Sequence, residues 1–180
     1  SGNMYAAAAF SGTVIAATAA AALYLMIKHN AAQSACLPKL EWLNVKLAVL
    51  RLPGGADVGH FAPQGTPKFY SVTCTPDETS IVLEEQCAIS RQACFAGNCE
   101  VEQGWVVFKL EGPLDFALVG ILSRIASVLA AKKISIFAMS TYDTDYVLLR
   151  NHVQAAATAA LRRAGYTIMD AVEDVADTEV

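Results

Sequence analysis

The run from Met4 to Ile27 constrains this 180-residue chain more than any other stretch: 24 consecutive residues carry no charge, and ten of them are alanine. A helix of that length rises ~36 Å, enough for a hydrocarbon core of ~30 Å. Tyr5 and Tyr24 stand near its ends, where amphipathic rings favour a membrane interface, and Lys28 and His29 stop it. A secretory leader would need a basic start and a shorter apolar core, and neither is present. The reading is a single transmembrane helix. Ala9, Gly12, Ala16 and Ala19 form one small-residue face, the kind that lets helix backbones approach closely in lipid. The helix is therefore expected to pack against other membrane-protein subunits, with room for lipid or pigment contacts. Lys28, Lys39, Lys46 and Arg51 come after it and no base precedes it. The positive-inside rule then places the rest of the chain on a cytoplasmic, stromal or matrix side. An organelle membrane, thylakoid or mitochondrial inner, is the expected setting.

Charge and cysteine content exclude several classes. Formal net charge is -4. Asp170, Glu173, Asp174, Asp177 and Glu179 form an acidic tail, and without them the chain is close to neutral. No basic surface for nucleic acid is visible. The five cysteines, Cys36, Cys74, Cys87, Cys94 and Cys99, include no CxxC pair and match no metal-ligand spacing. They read as free thiols, with Cys94 and Cys99 as the best disulfide candidates. The three histidines are scattered at His29, His60 and His152, and no nucleophile elbow, phosphate loop, zinc-helix or dinucleotide fingerprint occurs. Neither catalysis nor a cofactor or metal is expected.

After a linker at 29–43, the pattern becomes globular. Val45 to Leu52 reads as a strand closed by the turn Pro53-Gly54-Gly55. Phe69–Cys74 and Ser80–Leu83 read as strands, and Glu84–Gly104 as a loop carrying three cysteines. The stretch 44–104 is thus a first half. The second half, 105–169, is more regular. Trp105–Glu111 alternates like a strand, and Gly112-Pro113 turns the chain. Phe116–Ala131 is an amphipathic helix with Leu118, Leu122, Ile125 and Leu129 in one stripe and Asp115 as N-cap. Ile134–Ser140 and Asp145–Arg150 form a hairpin, His152–Ala164 a helix capped by Gly165, and Tyr166–Met169 a last strand. That order is βαββαβ, the ferredoxin-like split unit.

The halves resemble each other. Leu52-Pro53-Gly54 aligns with Leu110-Glu111-Gly112 at an offset of 58, and Thr75-Pro76-Asp77 with Thr141-Tyr142-Asp143 at an offset of 66. The first copy therefore lacks eight residues where the second has its first helix. The fold class is α+β: a transmembrane helix over 1–28, then tandem ferredoxin-like units, the first degenerate, then the acidic tail over 170–180.

At three motifs a family resemblance becomes specific: Leu110-Glu111-Gly112-Pro113-Leu114-Asp115-Phe116, Gly120-Ile121-Leu122, and the run from Ile134 to Tyr146. With Phe69–Thr73 and Thr75–Glu78 upstream, the stretch Leu43–Met169 resembles ACT domains of the amino-acid-sensing, CASTOR-like subgroup. The resemblance implies a non-enzymatic regulatory domain that binds a small amino acid where a strand-to-helix loop meets a neighbouring hairpin. Glycine would let the ligand approach the backbone, helix amides would attract its carboxylate, and acidic or hydroxyl groups would hold its ammonium. On this chain those positions are Gly112, Leu114 and Asp115 in the loop, and Ser140, Thr141, Asp143 and Asp145 in the hairpin. Relatives of this type are soluble, so a membrane helix in front argues for a non-catalytic accessory subunit of a membrane complex. A membrane-tethered amino-acid sensor is the alternative.

Overall fold

The structure, a computed structural model, describes residues 37–91, 99–114 and 119–169, and all of these but Leu37 lie in the unit that begins at Pro38. Two long strands organise it. β1 (Leu40–Pro53) has 14 residues and β4 (Glu100–Leu110) has 11. They run antiparallel down the centre of one seven-stranded sheet, ordered β2-β3-β1-β4-β6-β5 with β7 on β1. The others are β2 (Tyr70–Cys74), β3 (Glu78–Glu84), β5 (Phe137–Ser140), β6 (Asp145–Arg150) and β7 (Ile168–Met169). The helices are α1 (Glu85–Arg91), α2 (Ile121–Ala130) and α3 (Gln154–Arg163). Three-residue 3-10 turns cover Gly59–Phe61 and Asn151–Val153.

Each long strand serves both halves. The front of β1 pairs Leu40 with Leu110 and Trp42 with Phe108, while its end pairs Val49 with Glu102 and Arg51 with Glu100. The register slips between Leu47 and Val49, where three residues of β4 answer two of β1. Gly104 sits in that bulge at φ +79°, a conformation that costs a side chain little only at glycine. Its amide donates to Glu85 Oε2 at 2.7 Å, so the first residue of α1 clamps the bulge. The extra residue reverses which side chains of β4 face the helices. Val101 packs with the first-half core, whereas Val106, Phe108 and Leu110 are the buried alternates further on.

Side-chain alternation divides the core into two faces. On one, Ala48, Leu50, Leu52, Ile81 and Leu83 pack with Phe61 and with Ala88 of α1. Further along the same face of β1, Trp42 meets Phe108 edge-on at 5.1 Å and donates its indole N–H to Thr158 of α3 at 3.0 Å. The other face carries Leu47, Val82, Val107 and Leu148, and no described helix contributes to that cluster. Aromatic side chains shield it. Phe69 meets Tyr146 at 5.1 Å, Trp105 meets Phe137 at 6.1 Å, and the Arg150 guanidinium lies 4.2 Å above the Trp105 ring.

α2 and α3 end alike. Lys133 takes φ +57° and Gly165 φ +94°, which turns the amides of Ile134 and Tyr166 back to the carbonyls of Leu129 and Leu161. These are Schellman closures, with a buried apolar residue just after each.

The expected architecture, a membrane-crossing helix followed by two tandem units, is not the one observed. Among the described residues no helix is long and apolar enough to cross a membrane. The longest, α2 and α3, have ten residues each, ~15 Å against a core of ~30 Å. Met4–Ile27, its face of Ala9, Gly12, Ala16 and Ala19, and the acidic tail lie outside the described residues. Nor are the halves two separate units. β1 and β4 are each too long for one half, so they knit both into a single sheet.

Boundaries shift for physical reasons. β1 begins at Leu40, inside the expected linker, because Leu40 and Trp42 are both buried. The expected loop 84–104 holds α1 and the head of β4. α2 begins at Ile121 rather than Phe116, because Gly120 precedes it in the left-handed conformation at φ +79°. β5 begins at Phe137, since Ile134 belongs to the closure of α2.

Candidate functional site

Where β4 gives way to α2, the chain lies against the tip of the β5–β6 hairpin. A Cβ on Gly112 would stand 2.8 Å from the Asp143 carbonyl oxygen and 3.2 Å from Thr144 Cβ, so only glycine allows this approach. The peptide from Gly112 to Pro113 is cis. Leu114 then donates its amide to the same Asp143 carbonyl at 2.8 Å. Thr144 is buried, and its hydroxyl donates to the Leu110 carbonyl at 2.6 Å. Thr141 closes the hairpin by donating both amide and hydroxyl to the Thr144 carbonyl, at 2.8 and 3.1 Å. Ser140 donates to Asp145 Oδ1 at 2.6 Å across the first β5–β6 pair. Loop and hairpin tip are thus one hydrogen-bonded body.

Beside that body opens a cavity of about 370 Å³, lined by Leu114, by Gly120, Ile121, Leu122 and Ser123 at the start of α2, and by Ser140 through Asp145. Its chemistry has two poles. The first turn of α2 carries amides that a helix leaves for outside acceptors, and no acidic residue occupies that turn. The lining also includes two acidic residues, Asp143 and Asp145, and three that carry hydroxyls, Ser140, Thr141 and Tyr142. No lysine, arginine or histidine lines the space among the described residues.

Of the positions singled out in the sequence, the fold brings Leu114, Ser140, Thr141, Asp143 and Asp145 to this cavity. Gly112 lies beneath the wall, against Asp143 and Thr144, and not on the lining. Asp115 lies outside the described residues. Sequence reading missed Gly120 to Ser123, Tyr142 and Thr144 as site residues. Gly120-Ile121-Leu122 was itself a family motif, and a glycine at the head of an amphipathic stripe was the available signal.

Other polar groups stay apart. His60 and His152 are exposed on the two 3-10 turns. Among the described residues no three His, Cys, Asp or Glu side chains converge. Cys74, Cys87 and Cys99 are free, and Cys94 lies outside the described residues. Burial, and then the charge of Glu100, push the Cys99 thiol above its ordinary pKa. Burial likewise raises the Tyr166 phenol, partly offset by Arg124.

Comparison with known proteins supports this fold. Residues 100–163 match the ACT domain family. The protein Atu0741 from Agrobacterium tumefaciens is 30% identical, with TM-score 0.65, over 77% of this chain and 97% of that one. The chain belongs to that protein's family and carries an ACT domain. The regulatory subunit of aspartate kinase from Thermus thermophilus shares the fold, with TM-score 0.54 and 11% identity over 72% of this chain and 99% of that one. So does the aspartate kinase from Synechocystis, with TM-score 0.57 and 16% identity over 73% of this chain and 27% of the kinase. A search of curated proteins finds no match.

Proposed function

We propose that this chain is a non-enzymatic regulatory domain of the amino-acid-sensing ACT type, and that it binds a small amino acid beside the β5–β6 hairpin. One observation carries the reading: the head of α2 and the carboxylates of Asp143 and Asp145 line the same cavity of about 370 Å³. That volume falls within the ~300–1,000 Å³ common for small-molecule sites. A zwitterion matches its two poles. The ligand carboxylate faces the first-turn amides of α2, an arrangement worth ~0.3–1 kcal/mol in exposed settings. The ammonium faces Asp145, whose carboxylate Ser140 holds in place, and makes a charge-assisted hydrogen bond there. The named role of the Thermus subunit, regulation of a kinase, supports the same class of function. No reaction is assigned to the lining.

The test is a thermal-shift screen of the full chain against each of the twenty amino acids. A ligand present at 100 times its Kd adds about 2.7 kcal/mol of stability. At least one amino acid should raise Tm by several degrees. No shift with any of them would sink the reading.

A further inference from the structure

We infer that the first half of the sheet holds a closed counterpart of this cavity, so that the chain offers one ligand position and places it in the second half. The inference rests on the proposed function for the ligand, though not for the cavity itself.

The two halves correspond in their hairpin bonds. Thr75 donates its amide to the Glu78 carbonyl at 2.8 Å and its hydroxyl at 3.0 Å, as Thr141 does to Thr144. A Cβ on Gly54 would also meet a carbonyl of its own hairpin, that of Pro76 at 2.2 Å, one position before the counterpart of the Asp143 carbonyl that a Cβ on Gly112 would meet. Cys74 pairs with Thr79 where Ser140 pairs with Asp145. Thr79 is therefore the counterpart of the carboxylate that lines the open cavity.

Around Thr79 there is no room. The residue is fully buried, and its hydroxyl has no hydrogen-bond partner among the described residues. Where the second half has the ten residues of α2, the first has the turn Gly59–Phe61. Phe61 is fully buried in a cluster with Leu52 and Ile81, and Ala56 and Val58 pack against the same cluster. A three-residue turn presents no helix head to a ligand, and its aromatic ring fills the core beneath. Thr79 is thus walled off by its own core, whereas Asp145 stays half-buried beside the open cavity.

The decisive experiment is thiol labelling of the folded full chain carrying Thr79→Cys or Asp145→Cys. Methyl methanethiosulfonate is the probe and peptide mass spectrometry the readout, and both variants carry Cys74→Ser, because Cys74 pairs directly with position 79. The thiol at 145 should label in the folded chain, and that at 79 should stay unlabelled until the chain is denatured. Labelling at 79 as fast as at 145 would overturn the inference. Thr79→Val, which nearly keeps side-chain volume, gives a second reading by titration with the amino acid that the thermal-shift screen selects. Binding should remain at one per chain in this variant. Two sites per chain, or loss of binding in Thr79→Val, would equally overturn it. If no amino acid binds the wild type, the proposed function fails, and the labelling still decides whether the first-half cavity is closed.

Discussion

The β2–β3 and β5–β6 hairpins are locked by the same bonds, and one stands over a filled core while the other borders an open cavity. The difference lies in the element next after the central strand. After β4 the chain builds α2, whose head stands off from the hairpin. After β1 it makes a short turn that drops Phe61 into the space. Hairpin chemistry therefore sets the frame, and the length of the next element decides whether the frame borders an open cavity or a buried side chain. The shared strands β1 and β4 let one half be dense and structural while the other stays accessible.

Substitutions can break or sharpen that contrast. The largest effect belongs to Phe61→Ala. Removing a fully buried ring should cost about 3–5 kcal/mol in denaturant unfolding while leaving the second-half cavity intact. A loss below about 1 kcal/mol would mean that Phe61 does not plug the first half. Next comes Gly54→Ala, whose new methyl meets a backbone carbonyl at 2.2 Å. The hairpin must move, and unfolding should show a loss of about 1–3 kcal/mol. Gly112→Ala, with its contact at 2.8 Å, should cost less stability but also weaken ligand binding, because the carbonyl it displaces belongs to Asp143. Thr144→Val removes the buried bond to the Leu110 carbonyl, with an expected cost of about 1–2 kcal/mol.

The smallest effect is at Tyr166, whose buried hydroxyl has no partner. Its pKa is raised in the folded chain, so the unfolded chain gives up the phenol proton first. The stability tied to this group is complete below the ordinary value of 10.0 and is lost as pH rises from there through the folded pKa. Tyr166→Phe should be close to neutral at about pH 7 and should flatten the loss of stability in alkaline unfolding curves. An unchanged alkaline slope would show that the phenol ionises equally in both states.

The second half was the more legible in sequence because its apolar residues keep regular periods. Val106, Phe108 and Leu110 alternate, and Ile125 and Leu129 sit one turn apart, and all are buried. The head of β4 was hidden because Glu100, Glu102 and Gln103 are exposed and break the alternation before the Gly104 bulge. α1 was hidden by its seven-residue length and by having only one fully buried side chain among those described, Ala88. The cavity was half visible: the family resemblance pointed to the Leu114 loop and the Ser140–Asp145 hairpin, and both line it. The contribution of Ile121 to Ser123 depends on where the helix starts, which Gly120 sets through its left-handed backbone.

The proposed ligand position rests on Asp145. Its sharpest test is calorimetric titration of the full chain, wild type and Asp145→Ala. One saturable site is expected in the wild type, weakened about ten- to a hundredfold in the variant, the loss of a charged hydrogen bond worth about 1.5–3 kcal/mol. Binding of equal strength in Asp145→Ala, or none in the wild type, would contradict it.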